Sequence, residues 1–544
     1  MDASQLTNYR KAHNQFMYYE QLNKRGPQDQ ANLQTGAPSF FLNGRVLVQS
    51  GMPILTSSPT TYSYSMNSSI LQAFELFLQW IVSKGLGPTA TSRVLYMWYM
   101  AVAAPWNWVS TQNKLSGTHD TWNFNQRTLL DDPMKVFIWT NHAMVDTFTT
   151  LFTGYDISSI ITQERSIFGW TPQQQQDAIT NIRTEGNWTA FWTAWQTWAD
   201  YRKADGSATY LTQQPTVTEV VNKNLQLQTD SPVEPAYIDP TKWTPLKLPM
   251  KPTKQGYLTY YWDDVKSTGI TLAQEINMDN VADQYYVTGT ARENELTSVM
   301  NITATLNDTE KVTAEFWAGG PNTITPPGIS AWFWKEYVEN NTVDTQTLIF
   351  SGLDMGIHLF EGSRITWRNK ARKVQARPIQ ELRIMYKGQT LTSWNGTSIQ
   401  GELWMPYQED DFVTPPFADF PSGHSHFSQA LANTMSSWFG PNIPIKSITK
   451  SDLTLLSPIF NGTGSQTNSL NTITVSTGTS QIQPNIVPAA PTTLTWTTWQ
   501  DLANSAGMSR LYGGIHCLSA HTSSQAVANQ LHTDLNSVWG FNRN

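Results

Sequence analysis

The chain has 544 residues, a net charge of −7 and only 14% charged side chains, well under the roughly 25% of an average soluble protein. No basic excess points to a nucleic-acid partner. Its one cysteine, Cys517, excludes an intramolecular disulfide and any Cys-based zinc centre.

The opening stretch, MDASQLTNYRKAHNQFMYYE, has no apolar h-region, so no signal peptide is expected. Residues 1–68 are polar and punctuated by Pro and Gly and read as an irregular arm. Residues 69–325 read as an N-terminal helical half. Within it, SSILQAFELFLQWIVSKG ends on a glycine stop and TATSRVLYMWYMAVAA opens on threonine cap candidates. The apolar run VLYMWYMAVAA is too short to span a bilayer and predicts a buried core helix instead, so no membrane span is expected. Residues 201–260 are rich in Thr and Pro and read as a connector; the pattern over 280–318 fits strands or helix equally. Residues 326–544 predict a second helical bundle, with a Ser/Thr/Gly/Pro-rich insertion over 462–493 that contains a short strand candidate, TITVS. Seven Asn-x-Ser/Thr triplets follow from an Asn- and Thr-rich composition, and no glycosylation is expected. The compartment stays open.

Three stretches carry chemistry. In FADFPSGHSHFSQA, Ser422 stands where an N-cap belongs. Phe427, Leu431, Met435 and Trp438 form an amphipathic stripe that Gly440 ends. A helix start offers free N–H groups and the positive end of the dipole, and Gly423 lets backbone approach a ligand. His424 lies in that first turn, and His426, two residues on, points elsewhere. The bland alternative is an ordinary turn and cap. In KARKVQARP, Lys370 and Arg377 are seven residues apart, about two helical turns, and are expected on one face, with Arg377 near a helix end before Pro378. The alternative is a solvated basic face, since Arg372 and Lys373 add charge. In SRLYGGIHCLSAH, Arg510 and His516 flank a Gly513–Gly514 turn between a helix carrying Trp496, Trp499, Leu502 and Ala506 and a helix carrying Val527, Leu531, Leu535 and Val538. The alternative is a loop histidine packed beside Cys517. Together the three read Lys-x6-Arg-Pro, 42 residues, Pro-Ser-Gly-His, 84 residues, Ser-Arg-x5-His. Such a set of cations and imidazoles suits a tetrahedral oxyanion.

This signature resembles the superfamily of vanadium-dependent haloperoxidases and type-2 phosphatidic-acid phosphatases. WMPYQEDDFVTPPFADFPSGHSHFSQALA, AGMSRLYGGIH, GPTATSRVLYM and IDPTKWTPLKLP are similar to a bacterial haloperoxidase-like group. The resemblance implies a mainly α fold: the helical bundle of the vanadium haloperoxidase and acid phosphatase type, with small β-hairpins and long loops. It implies vanadate as cofactor, bonded through His516. Lys370, Arg377, Ser422, the Gly423 N–H and Arg510 would hydrogen-bond its oxygens. His424, Lys370 and His516 would be the catalytic groups, His424 as acid and base. Phe417 matches an aromatic position near the halide in chloroperoxidases, where bromoperoxidases often have histidine. The implied partners are hydrogen peroxide, a halide and a small organic acceptor, and related enzymes are often homo-oligomers. The implied activity is oxidation of halide by peroxide to hypohalous acid. Two alternatives share the residues: an acid phosphatase in which His516 is the nucleophile, and a non-catalytic structural protein of the same fold. The sequence departs from the family at Ala520, where an aspartate four residues after the metal histidine commonly orients the ring. Either another group supplies that contact or the site is weakened.

Overall fold

The computed structural model describes residues 59–448, 453–461 and 468–543, so the expected arm over residues 1–58 lies outside the described residues. The first helix among the described residues, α1 (Pro59–Lys84), starts inside the stretch 1–68 that the sequence assigned to that arm. It is followed by α2 (Pro88–Val109), α3 (Pro133–Leu151), α4 (Ser158–Phe168), α5 (Pro172–Glu185), α6 (Trp188–Lys203) and a single turn, α7 (Ser207–Tyr210). After a long connector come α8 (Leu272–Asp283), α9 (Gly289–Ala304), α10 (Asp308–Phe316), α11 (Thr325–Asn340), α12 (Thr345–Lys373) and α13 (Pro378–Met385). The chain closes with α14 (Gly423–Phe439), α15 (Trp499–Tyr512) and α16 (Leu518–Trp539). Segment 280–318, which fitted strand or helix equally, is thus helical. Helices α2, α3, α5 and α13 have Pro in their first turn, where a missing N–H costs nothing.

The fold is mainly α, as expected, with short sheets at its edges. The insertion between α14 and α15 folds as a four-stranded antiparallel sheet in the order Thr492–Thr495, Thr472–Val475, Asn468–Ser469, Ser447–Ile448. The expected strand TITVS is its second member. Trp496, assigned by the sequence to the helix before Arg510, lies just after the last strand, because Thr498 caps α15.

One apolar core runs from Met66 to Trp539, so both helical halves bury their faces together. At its centre is α12, 29 residues long and buried over most of its length. Close approach to α2 needs glycine. A Cβ on Gly356 would sit 2.5 Å from the Tyr99 ring and 3.1 Å from the Tyr96 Cα. The run VLYMWYMAVAA is buried in α2, and no helix among the described residues is long and apolar enough to cross a membrane.

The last turns of α12 are held from outside by charge. Arg364 meets Glu275 at 2.8 Å, Arg368 meets Asp279 at 2.9 Å and Arg372 meets Asp283 at 3.0 Å. Four-residue steps on both α8 and α12 keep these pairs in register. Lys373 also reaches Asp283, at 2.9 Å. The basic stretch therefore divides: Arg372 and Lys373 face α8, and Lys370 is turned into the core.

Candidate active site

The sequence expected Lys370 and Arg377 on one helical face. They sit on different elements. α12 ends at Val374, whose φ of +48° is left-handed, and Arg377 is the N-cap residue of α13, set there by Pro378. The two side chains still converge on the loop carrying Phe417 to Pro421. Lys370 is fully buried, and its Nζ donates to the carbonyls of Ala418 (2.8 Å), Asp419 (3.0 Å) and Pro421 (2.5 Å). Arg377 donates through Nε to the Phe417 carbonyl at 2.8 Å and through Nη1 to the Ile515 carbonyl at 2.9 Å. Its Nη2 is buried with no hydrogen-bond partner among the described residues.

Ser422 caps α14: its Oγ accepts from the Ser425 N–H at 3.4 Å, and its own N–H donates to the Ala520 carbonyl at 2.9 Å. Gly423 opens the helix. A Cβ there would meet nothing nearer than Trp367 at 3.6 Å, so packing alone does not demand glycine. His424 is half-buried, with Nε2 3.2 Å from the Ala318 carbonyl, to which it donates in the Nε2–H tautomer. His426 does point away, as expected: it is buried against Gly362 of α12, where an added Cβ would lie 2.4 Å from its Nε2.

Arg510, in the last turn of α15, donates through Nε to Ser509 Oγ (2.9 Å) and through Nη2 to the Ala314 carbonyl (2.5 Å). Gly513 caps α15 and Gly514, at φ +70°, turns the chain toward His516. His516 is buried, its Nε2 is 3.1 Å from Arg377 Nη1 and its Nδ1 is 2.5 Å from Asp419 Oδ1. Phe417 is buried, with its ring centroid 4.9 Å from Trp367, 5.0 Å from Lys370 Nζ and 5.1 Å from Arg377 Cζ. Cys517 is a buried free thiol, raised by burial well above its ordinary pKa and so unreactive.

The electrostatics are lopsided. Burial and the neighbouring Arg377 push the Lys370 ammonium well below its ordinary pKa. Burial lowers Arg377 to about 10, and burial with Arg377 lowers Arg510 to about 9. Among the described residues, none of the three forms a direct ion pair with a carboxylate. His424 is held well below its ordinary pKa by burial, Arg510 and His516. His516 is lowered to about 3 by burial and Arg377, against the pull of Asp419. Burial alone would raise Asp419, but Arg292 and His516 outweigh it and keep the carboxyl ionised. Three buried basic side chains, with Arg377 repelling both Lys370 and Arg510, beside two neutral imidazoles are chemically suited to a multiply charged oxyanion.

Three residues the sequence reading passed over complete the site. Asp419 lies inside FADFPSGH, an ionisable side chain between apolar neighbours, which was its only signal. Arg292 on α9 is 2.9 Å from Asp419 Oδ2 and 2.6 Å from Glu381 Oε2. Neither Arg292 nor Glu381 carried any sequence signal, since their partners lie far along the chain.

Residues 353–538 match the family model described as the VCPO second helical-bundle domain. Three solved structures are similar over nearly the whole fold. A holo-type bacterial vanadium-dependent chloroperoxidase matches with a TM-score of 0.58 at 16% identity, covering 83% of this chain and 93% of its own. The apo-type bacterial chloroperoxidase gives 0.57 at 16%, covering 83% and 95%. A bacterial vanadium-dependent iodoperoxidase gives 0.55 at 16%, covering 89% and 97%. No curated protein matches. At such identity these likenesses speak for the fold. The chain thus shares the fold of these solved structures, and its residues 353–538 match the second helical-bundle family model.

Proposed function

We propose that the protein is a vanadate-dependent haloperoxidase, using hydrogen peroxide to oxidise a halide to hypohalous acid, which then halogenates a small organic acceptor. The observation that carries this reading is the surplus of buried positive charge around His516. Among the described residues, Lys370, Arg377 and Arg510 have no direct carboxylate partner, and Arg377 Nη2 has no hydrogen-bond partner. A buried donor without an acceptor costs about 1–3 kcal/mol, more when charged, so its persistence points to a ligand it serves.

The residues present fit vanadate. His516 would hold the metal through Nε2, the nitrogen that carries the lone pair. Arg377, Arg510 and Lys370 would offset the oxygen charge, joined by the Ser422 hydroxyl and the Gly423 N–H at the positive end of α14. Bound vanadate supplies Lewis acidity without a change of metal oxidation state. The chain's own groups do the rest. Lys370, held in place by three carbonyls, would set its amino group where oxygen charge develops, and a bound oxyanion would favour its charged form. His424, in the Nε2–H tautomer, offers Nδ1 to take and return a proton. Its lowered pKa leaves it neutral in the free site, and the negative charge of an oxyanion would raise it toward neutrality. Phe417 and Trp367, buried and in ring contact, would give the halide an apolar neighbour that limits water.

The test is to load purified protein with orthovanadate and assay halogenation of a phenol or enol acceptor with peroxide and chloride, bromide or iodide. Halogenation that disappears when vanadate is removed is the expected result. No turnover with any halide, accompanied by phosphate-ester hydrolysis that vanadate inhibits, would overturn the proposal in favour of phosphoryl transfer.

A further inference from the structure

We infer that Asp419 is the positioning residue of His516, doing from the loop before α14 what position 520 cannot do, with Arg292 and Glu381 holding it in place. This deepens the proposed function and rests on His516 being the ligand there.

Ala520 is fully buried and its carbonyl already takes the Ser422 N–H, so nothing at that position reaches the imidazole. Asp419 arrives instead from 97 residues upstream, with Oδ1 2.5 Å from His516 Nδ1. Its other oxygen faces Arg292 Nη2 at 2.9 Å, and Arg292 is fixed by Glu381 through Nε (3.0 Å) and by the Ala376 carbonyl (3.0 Å). The backbone is pinned as well: the Asp419 N–H donates to the Gln375 carbonyl at 3.0 Å, and its carbonyl accepts from Lys370. The carboxylate therefore cannot swing away without breaking a network tied to α9, α12 and α13.

The two contacts of the ring agree on one tautomer. An ionised carboxylate only accepts, so Nδ1 carries the proton. A guanidinium only donates, so Nε2, 3.1 Å from Arg377, carries the lone pair. The nitrogen left bare is the one turned toward the cations. An asparagine at 419 keeps the shape and reverses the logic. Arg292 demands an acceptor, so the amide oxygen turns to it and the amide N–H faces Nδ1. That drives the proton onto Nε2 and removes the lone pair. A comparable carboxylate-to-amide change in a Ser-His-Asp triad acts through the wrong tautomer in the same way.

The experiment uses full-length protein with labelled histidine, free of vanadate, and reads the His516 tautomer from its ring nitrogen shifts, the resonance being assigned by its loss in His516→Gln. The wild type should show Nδ1–H, and Asp419→Asn should show Nε2–H. Orthovanadate affinity in Asp419→Asn should fall by about 10- to 100-fold, the usual effect of losing such a partner. A wild-type spectrum with the proton on Nε2 overturns the inference, and decides it even if the variant does not fold. So does an Asp419→Asn protein that keeps Nδ1–H and binds orthovanadate as the wild type does. A wild type that binds no orthovanadate would sink the functional reading while leaving the tautomer measurement to judge Asp419 separately.

Discussion

Replacing His426 with leucine separates the two histidines of the SGHSH turn by physics alone. His426 is 1% exposed, and neither ring nitrogen has a hydrogen-bond partner among the described residues. Burial, reinforced by His358, lowers its pKa to about 3. Between pH 6.5 and about 3 the unfolded chain binds a proton here that the folded chain does not. Stability therefore rises with pH through this window and is lost on acidification. The slope is about 1.4 kcal/mol per pH unit, or roughly 5 kcal/mol over the full window. His426→Leu removes the titration. At pH 7 it also removes two unpaired polar atoms, worth about 1–3 kcal/mol each, against a repacking cost of up to about 1.5 kcal/mol over Gly362. The packing cost is the same at every pH, so the pH dependence is decisive. Denaturant unfolding of wild type and variant at pH 7 and pH 5 should show the variant gaining about 2 kcal/mol relative to wild type on acidification. Parallel pH profiles would refute the reasoning, because they would mean that the imidazole is neither buried nor neutral.

Arg510→Met should lower orthovanadate or phosphate affinity at least about tenfold while changing the melting temperature of the unliganded protein little. It removes a buried cation that repels Arg377; calorimetric titration beside a thermal melt checks both halves. Orthovanadate at about 100 times its dissociation constant should stabilise the wild type by about 2.7 kcal/mol, read as a raised unfolding midpoint. Arg372→Ala, at the exposed end of the α8–α12 charge ladder, should cost no more than about 1 kcal/mol. Lys370→Met, which leaves three buried carbonyls without their donor, should cost about 3 kcal/mol or more by the same denaturation assay.

What was legible in the sequence was whatever local pattern could carry. The stripe Phe427, Leu431, Met435 and Trp438, with Ser422 ahead and Gly440 behind, gave α14 its ends and its face. The Gly513–Gly514 turn marked the bend before His516. Segment 280–318 resisted reading because α9 does not present a clean apolar stripe: its buried positions include Arg292, paired with Glu381 about 90 positions away. The same non-locality hid Asp419 as the partner of His516. The Lys370–Arg377 spacing pointed to the right neighbourhood through the wrong geometry, since a left-handed Val374 and the proline after Arg377 break the helix that the count of seven assumed.

The most direct measurement is the crystal structure or vanadium X-ray absorption spectrum of protein loaded with orthovanadate. The account predicts vanadium bonded to Nε2 of His516, with Arg377 and Arg510 on its oxygens and the Lys370 ammonium nearby on its three carbonyls. Vanadium bound elsewhere, or none retained while the fold stays intact, would contradict it.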